Sequence, residues 1–300
     1  AEAADSAFWL ESGVGYFGRQ IIVLDGSQGR LQQPNGPDYV IPAAWGRQAD
    51  SHVFHSFARF NLEPWESATF TGPDDVRQII AQVQGPTSEL HGQLRTDIKE
   101  ADLWLLNPAG ILIGAEATLD LAGSLYLRAA DDLHLADAQT TGTLQIEGSQ
   151  LQVKTGETLS LAGRDITLTG GAQLQAPAGT IELMGDQINL QDSTLQAQTL
   201  AGGTSEIAIQ ARTELNLIRS LLDTSAIGSG DAGDIHVQAP NIMLDTRDAD
   251  REVGLRSDVL NDSSGQPGMI QLQATEQLHV WHEQPPPALT ARAVGDQTPD

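Results

Sequence analysis

The sequence predicts an all-β chain wound into a parallel β-helix of about 22 residues per coil, with an N-terminal cap. Three observations carry that expectation. From about residue 119, apolar residues recur in two-residue beats: Leu119/Leu121, Leu125/Leu127, Leu133/Leu135, Leu144/Ile146, Leu151/Val153, Leu159/Leu161, Ile166/Leu168, and so on to Leu278/Val280. Such alternation turns one face of a short strand inward and the other to water. Leu144, Ile166 and Ile188 fall 22 residues apart, and Leu159 to Ile181 repeats the interval. Glycines such as Gly148, Gly156, Gly163, Gly170, Gly179 and Gly185 fall between beats, where corners need positive φ or close approach. Three beats of about seven residues make a coil with one short strand per side, stacked on the next at ~4.8 Å. An amphipathic helix needs apolar residues at i, i+3, i+4 and i+7, and residues 141–198 refuse that pattern. A β-sandwich needs antiparallel hairpins with longer strands.

Residues 1–72 are less regular and hold more than half of the aromatic residues, among them Trp9, Tyr16, Tyr39, Phe57 and Trp65. An open coil exposes an apolar cross-section and unpaired backbone, so this segment is read as the cap plus the first coils. Residues 73–280 are the β-helix. At its start, Pro73-Asp74-Asp75 has helix-opening chemistry, but the Ile79-Ile80 stretch is read as a strand. Asp245 to Asp258 and Asn261 to Gly268 look like loops extruded from corners. Residues 281–300, with Pro285, Pro286 and Pro287, should form an extended, poorly packed arm. Stacked Gln residues, including Gln173, Gln175, Gln187, Gln191, Gln196 and Gln198, are placed to form amide ladders.

Composition excludes several functions. A net charge of −24 makes nucleic acid a poor partner and sets the chain against a bare anionic membrane. With no cysteine there is no disulfide, thiolate metal site or thiol catalysis. No apolar run approaches the ~20 residues that span a bilayer. The start, Ala-Glu-Ala-Ala-Asp, is similar to the mature side of a signal-peptidase cut, which leads us to expect a removed signal peptide.

Several ordered blocks resemble one family. Val53-Phe54-His55-Ser56-Phe57-Ala58-Arg59-Phe60-Asn61 is similar to its "LFHSFxxFN" stretch, and Asp75-Val76 through Ile79 and Val83 to "DVxxIxxxV". Leu90-His91-Gly92 with Leu94-Arg95 is similar to "I-x-G-x-I", and Leu105-Leu106-Asn107-Pro108-Ala109-Gly110-Ile111 to "INPNGI". Gly230-Asp231-Ala232-Gly233-Asp234-Ile235 is similar to its "GNAGNITI" coils. From about His52 to Val280 the chain thus resembles the haemagglutination-activity, filamentous-haemagglutinin-like N-terminal domain of two-partner secretion exoproteins. Ala109 stands where that family carries a second Asn, which weakens the turn. The resemblance, with the usual crossover rule, implies a right-handed helix. It also implies a secreted, cell-surface-associated protein of a Gram-negative cell, exported across the periplasm through an outer-membrane transporter. Its candidate secretion-motif residues are Asn107, Pro108, Gly110, Ile111, His55, Ser56 and Phe57.

Constellations with other chemistry are weaker. His52-x-x-His55 has a metal-like spacing, but strand residues i and i+3 face opposite ways, so His55 is expected to be a buried hydrogen-bonding residue and His52 a surface one. Asp74-Asp75 and Asp131-Asp132 suit a solvated corner better than a calcium site. No metal, cofactor or catalytic residue is assigned. A polysaccharide-active enzyme remains a remote alternative, resting on Asp120, Asp165 and Asp186 along neighbouring rungs, with Arg128, Lys154 and Arg164 as the nearby basic residues.

Two functions remain from different classes. The first is a non-enzymatic structural or adhesive subunit that assembles head-to-tail into an extracellular filament or matrix, since contacts that do not close produce filaments. Its assembly candidates are Trp9, Tyr16, Val280, Trp281 and Pro285 to Pro287. The second is a recognition domain of an adhesin or haemolysin, read by the outer-membrane transporter. A cell-surface or glycan contact could accompany either.

Overall fold

A computed structural model describes residues 22–27, 34, 36–130, 141–199, 203–249, 251–260, 265–282 and 289–290. The chain is a parallel β-solenoid of about 8 turns. The first side of the coil is laid down by His52–Phe60, Gln78–Val83, Asp102–Leu106, Leu125–Arg128 and Thr158–Ala162, each paired in parallel with the next. The second side is Ser88–Leu90, Ile111–Ile113, Thr143–Glu147 and Asp165–Thr169. The third side comes in two pieces. Asp38–Pro42, Ser67–Thr71, Gln93–Thr96 and Thr118–Asp120 form one sheet; Gln150–Gln152, Gln173–Gln175, Thr194–Gln196, Leu221–Asp223, Gly254–Arg256 and Leu289–Thr290 form the other.

The beats become ladders. Leu103, Leu125, Leu159, Ile181, Ile207 and Ile235 stand in register through successive coils, as do Ile111, Leu144, Ile166, Ile188, Leu215 and Ile242. All of these are buried. The 22-residue step holds at Leu144, Ile166 and Ile188. It then lengthens, because Ile188 meets Leu215, Leu215 meets Ile242, and Ile242 meets Leu278. Extra residues enter at the corners, where they cost little, while the inward positions keep their phase.

In the later coils the first two sides fuse. Thr180–Gln191, Glu206–Ile218, Asp234–Asp245 and Ile270–Trp281 each run continuously across the corner, with a register shift after Gly185, Gln210 and Ala239. A bulge bends the strand without a turn, so three separate short strands per coil is too simple a picture here. Ile79-Ile80 is extended, as expected, inside Gln78–Val83, after a turn closed by Val76 N–H donating to Pro73 O. The Asp245–Asp258 stretch is not wholly a loop, because Gly254–Arg256 within it is a third-side strand. Leu289–Thr290 pairs with that strand, so within the expected arm the coil continues past Trp281. Residues 283–288, with Pro285 to Pro287, lie outside the described residues, as do Leu133/Leu135 and Asp131-Asp132.

The start of the helix is covered. Ile22–Leu24 and Arg47–Ala49 both pair antiparallel with His52–Phe60, occupying the edge that the first parallel strand would otherwise offer. Phe57, Phe60 and Phe70 fill the cross-section behind that edge, with Phe57 edge-on to Phe60 at 5.0 Å and Phe60 stacked on Phe70 at 6.1 Å. At the other end, nothing among the described residues covers the last coil. Leu278, Val280 and Leu289 continue the inward ladders yet are 48%, 43% and 39% exposed, because no described coil stacks on them. No helix among the described residues is long and apolar enough to cross a membrane.

Candidate functional site

The Asn-Pro-x-Gly segment is a corner between the first and second sides. Asn107 N–H donates to Arg128 O on the next coil, and Gly110 N–H closes the turn onto Asn107 O at 3.0 Å. Ala109 does not take a positive φ, which rules out a type II turn and fits type I, with Asn at i, Pro at i+1 and Gly at i+3. The Asn107 side chain, fully buried, satisfies three groups at once. Its Nδ2 donates to Pro86 O and to Ser88 Oγ on the coil below, and its Oδ1 accepts from Ala109 N–H, each at 2.9 Å. Gly110 has φ +122, and a Cβ there would stand 2.9 Å from Thr143 O on the coil above. The position therefore demands glycine on two grounds.

Ala109 itself is exposed and contributes only main chain, through its N–H to Asn107 and its carbonyl, which accepts from Thr87 Oγ1 at 3.1 Å. The turn is held by Asn107 and Gly110, so the missing second Asn does not weaken it in the way expected from the sequence. Ile111, also buried, begins the strand that pairs with Ser88–Leu90 and Thr143–Glu147.

The second motif stands in the same column as the end of the first, two rungs away. Ser56 is in register with Gln82, and Gln82 with Leu106, so His55-Ser56-Phe57 lies two rungs, ~10 Å, below the residue preceding Asn107. Ser56 Oγ donates to Asp25 Oδ2 at 2.6 Å, and Asp25 N–H donates back to Ser56 O. Burial works to raise the Asp25 pKa, but the Ser56 hydroxyl and the Ser27 amide outweigh it and hold the carboxyl below its usual range. Ser56 thereby clasps the cap strand to the first coil. Phe57 belongs to the aromatic plug.

His55 departs from expectation. It is buried against Phe57 and Phe70, at 6.0 and 5.6 Å between ring centroids, but its Nδ1 has no hydrogen-bond partner among the described residues. Burial alone pushes its pKa down to about 4, so the ring is neutral at ordinary pH. His52 is half-buried, and Asp74-Asp75 sits in an exposed turn; no group of three or more metal-ligating residues occurs among the described residues. Asp165 and Asp186 lie at one corner on neighbouring coils, where Asp186 N–H donates to Arg164 O, whereas Asp120 stands on the third side. Each pairs with its own cation: Arg95 at 3.3 Å, Arg164 at 2.8 Å and Arg212 at 3.0 Å.

Of the assembly candidates, Val280 and Trp281 lie exposed on the terminal strand, where Arg247 stacks over Trp281 at 5.1 Å. Trp9 and Tyr16 lie outside the described residues. Sequence reading missed one network on the first side. Trp104 and Tyr126, in register, stack at 3.9 Å, and the buried Arg128 lies over both. Its guanidinium donates to Ser160 O and Oγ, and Ser160 Oγ donates to Glu182 at 2.8 Å. Burial lowers the Arg128 pKa to about 10, which leaves it charged at neutral pH.

The fold defined by these coils and their covering strands is a capped parallel β-solenoid. Residues 24–274 match the family model described as the TPS secretion domain, TPS standing for two-partner secretion, and the chain belongs to that family. It is also similar to the crystal structure of the HMW1 secretion domain from Haemophilus influenzae, with 13% identity and a TM-score of 0.44, over 93% of this chain and 100% of that one. No curated protein matches it.

Proposed function

We propose that this chain is the recognition domain of a two-partner secretion exoprotein, bound during export by its outer-membrane transporter, and that export depends on the Asn107–Ile111 corner together with His55, Ser56 and Phe57. The observation that supports this reading is that two motifs, separated by about fifty residues of sequence, stand in one register two rungs apart on a chain that belongs to the secretion-domain family. The test is export of the whole protein by cells that make it, comparing Asn107→Ala with Leu217→Ala, a core substitution on the second side of a later coil. Both should cost stability. Accumulation of Asn107→Ala in the periplasm, with Leu217→Ala still reaching the medium, supports a recognition role; equal export of the two at equal stability would reduce the motif to a folding element.

A second reading, self-assembly, rests on the exposed apolar residues Leu278, Val280 and Leu289 of the last described coil. Head-to-tail growth needs a complementary edge at the start of the helix, and there Ile22–Leu24 and Arg47–Ala49 already cover His52–Phe60. Growth would have to proceed on the outer edges of those short strands, whereas two copies meeting through Leu278, Val280 and Leu289 would close as a dimer. Light scattering of the purified chain separates the outcomes: a mass that rises without limit with concentration supports the filament, one that stops at twice the monomer supports the dimer, and a constant monomer removes both.

A further inference from the structure

The outer face of the first side carries a groove of about 410 Å³ that none of the secretion motifs uses. Its floor is two columns of side chains in register. One runs Glu182, Ala208, His236, Gln271; the other runs Met184, Gln210, Gln238, Gln273. Three steps between coils give it a length of roughly 14 Å along the helix axis. The Arg128–Ser160 pair closes one end. Ala208 is the small residue of the floor, and it leaves a hollow between Glu182 and His236.

We propose that this groove binds a short neutral oligosaccharide laid along the axis of the β-helix. The amides carry the argument. Elsewhere on this surface stacked amides satisfy each other: Gln175 donates to Gln196 at 3.1 Å and Asn216 to Asn189 at 2.8 Å. In the groove Gln210, Gln238, Gln271 and Gln273 stand one above another or side by side, exposed, with no hydrogen-bond partner among the described residues. An amide both donates and accepts, which is what a row of sugar hydroxyls requires. The volume lies in the range of ligand sites, ~300–1,000 Å³.

The alternatives fit less well. The floor is the face of a sheet whose main-chain groups are already paired strand to strand, so a peptide cannot add as a further strand and would have only side chains to read. A polyanion meets a molecule of net charge −24 in a groove where Glu182 offsets Arg128 and both terminal nitrogens of Arg128 already donate to Ser160. A catalytic reading lacks a second carboxylate in the groove opposite Glu182.

Saturation-transfer NMR on the full chain tests the proposal, with cellotetraose, maltotetraose and tetra-N-acetylchitotetraose as neutral probes and a heparin tetrasaccharide as the anionic one. Transfer to at least one neutral probe is expected, with Gln238→Ala weakening it about tenfold and Ala208→Trp, which fills the hollow from a partly exposed position, abolishing it at an unchanged melting temperature. Absence of transfer to all three neutral probes overturns the proposal, as does transfer to the anionic probe alone. Binding that survives both substitutions would put the ligand somewhere else and overturn it equally. Export of the Asn107 variants reads a different surface, so neither result decides the other.

Discussion

Acidification should loosen the start of this β-helix, and His55 should be the reason. In the unfolded chain an imidazole takes up its proton near pH 6.5. In the folded chain His55 sits against Phe57 and Phe70, with no partner for Nδ1 among the described residues, and its pKa is pushed down to about 4. The folded state therefore binds fewer protons between those values. Stability is complete above about pH 6.5, falls as the pH drops toward 4, and levels off below it. Each pKa unit is worth 1.36 kcal/mol, so the drop comes to about 3 kcal/mol.

The assay is urea unfolding at a series of pH values between 7.5 and about 3.5, followed by circular dichroism, for the wild type and His55→Leu. Leucine has a similar volume and cannot be protonated. It also removes a buried nitrogen that has no partner, so at pH 7.5 the variant should be at least as stable as the wild type. The difference between the two curves isolates His55 from the carboxylates that titrate over the same range, Asp25 among them. Parallel curves, with the same loss from pH 7 to 4 in both proteins, would refute the reasoning and place the acid sensitivity elsewhere.

Ser56→Ala should cost about 1 kcal/mol and speed hydrogen exchange at the Asp25 amide, because the clasp between cap and coil loses its side-chain bond. Ala109→Asn should shift stability by no more than about 0.5 kcal/mol in thermal melts, since the side chain is exposed and the turn is held by its neighbours. Leu161→Ala, in the fully buried ladder between Leu127 and Leu183, should cost about 2–5 kcal/mol by urea titration.

The coil period was legible because every rung makes the same demand on the same inward positions. Leu144, Ile166 and Ile188 repeat one side chain's task, and corner insertions change the spacing without changing the phase. The bent strands from Thr180 onward were not legible, since a bulge after Gly185 or Ala239 leaves no turn residue pattern behind. Nor was the covering of the first edge, because the antiparallel strands Ile22–Leu24 and Arg47–Ala49 are three residues long and belong to no repeat. At the candidate site the Asn-Pro-x-Gly turn was readable as a turn, but not the reach of Asn107 to Pro86 and Ser88, which depends on how coils stack. Trp104 and Tyr126 lie 22 residues apart, so the period alone contained their stacking.

Burial limits how the corner can act. Asn107, Gly110, Ile111, Ser56 and Phe57 are all buried, and only Pro108, half-buried, and Ala109, exposed, present side chains to a partner docking on the finished fold. The Asn107 amide is spent on Pro86, Ser88 and Ala109. A transporter bound to the folded corner therefore has almost nothing specific to read there, and the position most open to it carries alanine. If export depends on Asn107 by more than its contribution to stability, the transporter must meet this segment before the coil closes over it, while the amide and the Phe57 ring are still accessible. The same residues would then serve in sequence as an address on the unfolded chain and as the latch that closes the coil. The comparison of Asn107→Ala with Leu217→Ala bears on this directly, because only a reader of the open chain distinguishes two substitutions that destabilise the closed one alike.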